Sequence, residues 1–268
     1  MRDLHAAGLA SIAAYARVSL GRRGRALLND GGLVACAGTS ASASAYMNHG
    51  VRIDPSVPAG AALGRFAEFF GALDHGFVCT IDDGGDGDLV VALRANGARL
   101  FSDRPAPGMV VESKVDATSH SASVSPVDDP FVLDELCEVV GVAYGFGPGI
   151  RGILGGWPSD ASVRGFVARD DRRVVATALA VNDDVGGIYM VGTLPEARRR
   201  GFGEAVTAAA TNSLFDDGAS AVVLQASAMG EPIYARMGFR TFTTYTQWAI
   251  DPPGVTGQAP APIGEGTP

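Results

Sequence analysis

Lysine is almost absent from this sequence: Lys114 is the single lysine in 268 residues, and arginine supplies the rest of the 21 basic side chains. Against 29 acidic residues this leaves a formal net charge of −8, which argues against nonspecific nucleic-acid binding and is compatible with cationic amine ligands. Cysteine is scarce too. Cys36, Cys79 and Cys137 are odd in number, widely spaced and never in a CxxC pattern, so neither a disulfide framework nor a zinc site is expected and a cytoplasmic location is the default. His5, His49, His75 and His120 are equally scattered, read as surface or loop residues, and imply no metal. No apolar run reaches the roughly 18 residues of a membrane span, and Asp3, His5 and Arg17 interrupt any leader-like core. No membrane or nucleic-acid partner is expected. What is abundant is glycine, with 36 residues, alongside alanine and arginine, so a single Gly or Arg carries less information here than usual.

With 47% hydrophobic side chains, the chain is long enough for two cores of ordinary size. The stretch VDATSHSASVSPVDD, Val115 to Asp129, is small, polar and proline-bearing, and reads as a linker over 115–127. The expected organisation is a first domain over 1–114, a second over 128–250, and a flexible tail over 251–268 with too little apolar surface to fold.

The second half has a legible element order. Val132, Leu136, Val139 and Val140 lie at helical spacing, with Asp134 and Glu135 in the first turn. GFVARDD and RRVVATALAVND predict two antiparallel strands around a tight turn at Asp170 and Asp171. Between Gly187 and Gly203 the chain reads GIYMVGTLPEARRRGFG, a strand breaking into a basic turn with two glycines. Arg198, Gly201 and Gly203 fit the spacing [RQ]xxGx[GA], which suits an anion held by amides at a helix N-terminus. AVTAAATNSLFDDG follows as a helix ending at Gly218, then AVVLQAS (Ala221 to Ser227) as a strand. EPIYARMGF (Glu231 to Phe239) is a short helix opened by Pro232 and closed by Gly238.

Strand, glycine loop, helix, strand and a helix ending YxxxGF, in this order, resemble the acetyl-CoA half of the GNAT (GCN5-related N-acetyltransferase) superfamily. The resemblance implies an α/β (α+β) fold, a mixed, mostly antiparallel twisted sheet flanked by helices, and acetyl-CoA as cofactor. It implies cofactor contacts from the backbone of Val191, Gly192 and Thr193, from Arg198, Arg199 and Arg200, and from the amides of Gly201, Phe202, Gly203 and Glu204. Phe202 is expected to pack. Ser227 stands where many relatives contact the pantetheine arm, and it is equally suited to cap the next helix. Tyr234 is the implied catalytic acid for the departing thiolate, because a phenol can donate to a thiolate formed beside it.

No general base is legible. Many relatives carry a glutamate on the strand before the loop, where this sequence has Gly187 and Tyr189. Asp183, Asp184 and Glu196 flank that strand and read as exposed turn carboxylates. A water relay, or an amine arriving unprotonated, needs none of them.

The first half echoes the second. GFVCTID, DLVVALRANG and ARLF repeat the order AVVLQAS, PIYARMG, FRTF, and aligning Gly97 with Gly238 sets Leu93 opposite Tyr234. YMNHGVRID and AALGRFAEFFGAL add a strand and an amphipathic helix, without a [RQ]xxGx[GA] loop between them. The first half therefore resembles a degenerate GNAT-like domain in a tandem arrangement. Two functions fit: an N-acetyltransferase acting on a small-molecule or peptide amine by direct attack in a ternary complex, with a homodimer allowed, or a noncatalytic acyl-CoA sensor.

Overall fold

The computed structural model describes residues 3–20, 26–38, 41–42, 47–116, 122–145, 161–183 and 185–252, with side chains from 3–18 in the first of these. Among these the chain forms two compact units, one running to Gly108 and resuming at Thr241, the other spanning Met109–Arg240.

The first unit contains α1 (Leu4–Leu20), β1 (Ala26–Asp30), β2 (Leu33–Ala37), β3 (Asn48–Arg52), α2 (Ala59–Gly71), β4 (Phe77–Asp82), α3 (Gly87–Ala95) and β5 (Arg99–Leu100). The last described strand, β12 (Arg240–Ile250), completes it. Its strands run in the order β1-β2-β3-β4-β12, with β5 also on β12. Only β3 and β4 pair in parallel, joined by the crossover helix α2; the β1–β2, β2–β3, β4–β12 and β5–β12 pairings are antiparallel. Strands β2, β3 and β4 are buried along their whole lengths, as expected of strands covered on both faces. Alternate residues serve two cores. Leu33, Ala35, Ala37, Phe77, Cys79 and Ile81 meet Phe66 and Phe70 of α2 and Leu89 and Leu93 of α3, with Phe70 stacked on Phe77 at 4.7 Å between centroids. Leu9 and Ile12 of α1 meet Val51 and Tyr245.

The second unit follows with β6 (Ala106–Val111), which enters it at Met109, then β7 (Ser123–Pro126), α4 (Pro130–Tyr144), β8 (Val163–Asp170), β9 (Arg173–Val181), β10 (Gly186–Thr193), α5 (Phe202–Asp216), β11 (Val222–Gln225) and α6 (Glu231–Arg236). Its strand order is β6-β11-β10-β9-β8-β7. β7, β8, β9 and β10 pair antiparallel in succession, and β10 pairs with β11 in parallel. The expected helix signals hold. Asp129 caps α4 by accepting from Phe131 N–H, and Gly145 ends it in the left-handed conformation. Gly218, with φ +94°, ends α5, while Gly238, with φ +97°, follows α6.

Three expectations change. The strand after Arg240 belongs to the first unit, because Tyr245–Ile250 ladder with Phe77–Asp82; the division therefore falls near 240 and not at 250. The expected linker is partly structured: Val115 is buried, Asn212 bonds its backbone at both N–H and C=O, and Ser123–Pro126 ladder with Phe166–Arg169. His49 is no surface residue. It sits buried in β3, hydrogen-bonded to Thr80 at 2.7 Å, and burial lowers its pKa to about 4. The tail beyond 252 and His120 lie outside the described residues.

The echo between halves has a backbone counterpart. Leu93 C=O accepts from Ala98 N–H and Tyr234 C=O accepts from Phe239 N–H, both at 3.0 Å, around Gly97 (φ +76°) and Gly238.

Candidate functional site

The central feature of the second unit is a break in β10. Gly186, Gly187 and Ile188 pair with Val222, Val223 and Leu224 of β11, and the pairing stops there while β10 continues to Thr193. On its other side, Tyr189 opposes Leu179 and Gly192 opposes Thr177, so Met190 and Val191 together face the single residue Ala178. This is a β-bulge, and Met190 takes φ +50°, which few residues other than glycine adopt. Thr177 donates its hydroxyl to Met190 C=O at 3.1 Å, and Tyr144, at the end of α4, donates to Val191 C=O at 3.1 Å. A Cβ at Gly192 would stand 2.9 Å from the Ala143 Cβ, so glycine there lets α4 approach the strand.

The chain then turns through Pro195–Ala197 into the loop and α5. Gly201 takes φ +82°, Arg199 φ +62°, and the first backbone bond of α5 runs from Ala205 N–H to Gly201 C=O. The turn 201–204 is thus the end of the helix whose amides and dipole suit an anion. A Cβ at Gly203 would lie 3.0 Å from the Thr193 hydroxyl, so a side chain would intrude between the strand end and this turn. These features fit a pyrophosphate.

The three arginines differ. Arg198 reaches back to Thr193 C=O at 3.4 Å, Arg199 is exposed, and Arg200 makes a two-pronged pair with Asp170 at 2.6 and 2.9 Å. Arg200 also lies over the Phe202 ring, 5.0 Å from its centroid, and Phe202 is buried as expected. Glu204 is buried in the first turn of α5, where the helix dipole favours a carboxylate. Ser227 accepts a hydrogen bond from Gly230 N–H at 3.1 Å, which closes the turn ahead of α6, and is exposed.

Tyr234 is buried on α6, tilted against Phe239 at 6.0 Å. Burial pushes its phenol up to about 12, opposed by a side-chain hydrogen bond with Thr207. Thr207 in turn donates to Gly203 C=O at 2.8 Å, so Tyr234 is connected through one hydroxyl to the first turn of α5. Of the flanking carboxylates, Glu196 is exposed and paired with Arg173 at 2.8 Å, which helps hold it below the usual carboxylate range after its own backbone hydrogen bond. Asp184 lies outside the described residues. Burial raises all three cysteine thiols, Cys137 to about 11 and Cys36 to about 12, so none is a ready nucleophile. No group of three or more His, Cys, Asp or Glu able to hold a metal occurs among the described residues, and no described helix is long and apolar enough to cross a membrane.

Thr177, Tyr144 and Thr207 were not legible as site residues. Each is a lone hydroxyl in an apolar run, and only the bulge and the helix start give it a partner.

In the first unit the corresponding place is filled. β3 ends at Arg52, whose guanidinium is buried and bonds Asp86 at 2.7 Å, Asp88 at 2.6 Å and Val57 C=O at 2.9 Å. Pro58 stands before α2, where the second unit has its glycine loop.

The family model described as FR47-like protein matches residues 163–249. A mycothiol acetyltransferase from Arthrobacter sp. is 40% identical over 70 residues, which are 25% of this chain and 20% of that relative's own length. Among solved structures, a GCN5-related N-acetyltransferase from Kribbella flavida has the same fold with TM-score 0.72 at 21% identity, covering 95% of this chain and 98% of that one. A tandem GNAT protein from the clavulanic acid biosynthesis pathway aligns with TM-score 0.61 at 13% identity, covering 89% of this chain and 87% of that one.

Proposed function

We propose that this chain is a GNAT-superfamily protein and an acetyl-CoA-dependent N-acetyltransferase whose reaction takes place in its second unit, a reading that the FR47-like match over residues 163–249 and the shared fold support. The observation that carries this reading is the conjunction at β10: a bulged strand that leaves its parallel neighbour after Ile188, a glycine-led helix start beyond it, and Tyr234 tied to that start through Thr207. The name of the Arthrobacter relative, an acetyltransferase, agrees with the reaction class.

The residues divide the work. The turn 201–204 would hold the pyrophosphate with amides and the helix dipole, and Arg198 and Arg199 would add positive charge beside it. Arg200 serves first to fix the loop against Asp170. Backbone groups of Val191, Gly192 and Thr193 would hold the pantetheine arm and the acyl carbonyl. Acetyl-CoA supplies the activated acyl group. The amine nitrogen attacks the acyl carbon directly, without an acyl-enzyme, and Tyr234 gives its proton to the sulfur as the carbon–sulfur bond breaks. A phenol with its pKa raised to about 12 stays protonated at physiological pH, which is the form an acid needs. The amine's own proton leaves through water, or the amine binds unprotonated. The acceptor is a primary amine.

The test is incubation of the intact protein with acetyl-CoA and a broad set of amines, small and peptidic, with release of free thiol followed. Amine-dependent release supports the reading. Tight CoA binding with no release from any amine favours a sensor.

A further inference from the structure

Resting on the reading above, we infer that Thr177 and Tyr144 are positioning residues that aim the amide of Val191 at the carbonyl oxygen of the acyl thioester. In a trans peptide the C=O and the following N–H point in opposite directions. Met190 C=O is drawn toward β9 by the Thr177 hydroxyl, so the Val191 N–H of the same peptide points away from β9. In the strand order β11-β10-β9, that side is where β11 has parted from β10 after Ile188. The amide is thereby presented to the opening and kept from the ladder. Tyr144 fixes the next peptide through Val191 C=O, so both peptides flanking Val191 are braced by a hydroxyl from a different element.

The bracing has a physical reason. Met190 is held at φ +50°, a conformation that persists only where the surroundings impose it. Thr177 is fully buried, in a strand otherwise made of valine, alanine and leucine beyond Arg173. A hydroxyl buried among such residues is costly unless bonded, and here its partner is the bulge carbonyl. An oxyanion donor works only if it is aimed before the charge develops, so orientation of this amide bears on kcat more than on cofactor affinity.

The experiment compares wild type with Thr177→Val, which keeps shape and removes the donor, Thr177→Ser, which restores it, and Tyr144→Phe. Two readouts are used beside melting temperature: CoA affinity by calorimetry, and the infrared carbonyl stretch of bound carbonyl-labelled acetyl-CoA. Steady-state transfer to the amine found in the screen gives the third. We expect Thr177→Val to bind CoA within twofold of wild type, to lose the downshift of the bound carbonyl stretch, and to transfer about tenfold slower or worse, short of outright loss of an oxyanion donor. Thr177→Ser should recover both signals, and Tyr144→Phe should weaken both in the same direction. A bound carbonyl stretch unchanged in Thr177→Val, or CoA affinity falling as far as kcat, overturns the aiming role. If Thr177→Val does not fold, Tyr144→Phe decides by the same two signals. Failure of the wild type to bind CoA at all overturns the underlying reading and this inference with it.

Discussion

Tyr234 and Thr207 share a side-chain hydrogen bond that tempers the rise burial gives the phenol's pKa, and the Thr207 hydroxyl also donates to Gly203 C=O at 2.8 Å. The proposed acid therefore stands one hydroxyl away from the turn 201–204, and burial keeps it protonated. Tyr234→Phe keeps the ring and its packing on Phe239 but removes the proton. It should leave CoA affinity nearly intact and lower kcat about 10²-fold, the usual size of a lost general acid. Steady-state kinetics beside calorimetry check this, and an unaltered kcat would assign the tyrosine to packing alone.

The same burial has a consequence for alkaline stability. The phenol's pKa stands at about 12 in the folded chain against an ordinary 10, so the folded state holds the proton more tightly than the unfolded state. The contribution is complete below pH 10 and is lost as the pH rises through 12. Wild type should thus lose stability between pH 10 and 12 more steeply than Tyr234→Phe does, a difference that denaturant melts at fixed alkaline pH would measure.

In the first unit the sign reverses. His49 is buried neutral, with its pKa near 4 against 6.5, so the unfolded chain takes up a proton that the folded chain refuses. Stability from this group is complete above pH 6.5 and falls as the pH drops through 4. The loss is about 3 kcal/mol at most, from 1.36 kcal/mol for each pKa unit. His49→Gln should flatten the acid limb of a urea-midpoint profile; an unchanged limb would contradict the assignment.

Gly203 separates binding from folding. A β-branched side chain there would press on the Thr193 hydroxyl and fill the turn proposed to receive the anion. Gly203→Val should abolish CoA binding by calorimetry with circular dichroism unchanged, whereas unaltered affinity would move the phosphate site elsewhere.

Arg52→Ala addresses the first unit. It strands the buried Asp86 carboxylate without its partner, at a cost of about 3–5 kcal/mol, and should create no CoA affinity. A chemical melt together with CoA titration of the variant tests both halves of that statement.

Much of the second unit was legible because its signals are local. The helix after the loop, the tyrosine helix and the Asp170–Asp171 turn each follow from capping, glycine placement or alternation within a dozen residues. Gly201 and Gly203 stood out because a strand, a basic turn and a helix surround them. The strands β6 and β7 were missed because APGMVV and SVSP are short, carry proline or glycine, and gain strand character only from neighbours far along the chain. The affiliation of β12 with the first unit was hidden for the same reason: its six ladder partners lie about 170 residues upstream. His49 read as a surface residue because nothing nearby marks it as buried; its partner Thr80 is 31 residues away. The bulge carries no sequence mark at all. Met190 is an ordinary apolar residue until Thr177 claims its carbonyl.

The central claim is that the second unit transfers an acetyl group from acetyl-CoA to an amine. The most direct measurement is mass spectrometry of the amine set after incubation with acetyl-CoA and the intact protein, run beside Gly203→Val and Tyr234→Phe. The account predicts an acetylated amine from wild type, none from Gly203→Val, and a slowed yield from Tyr234→Phe. Acetylation that persists undiminished in Gly203→Val, or its absence from wild type under conditions where CoA is bound, would contradict it.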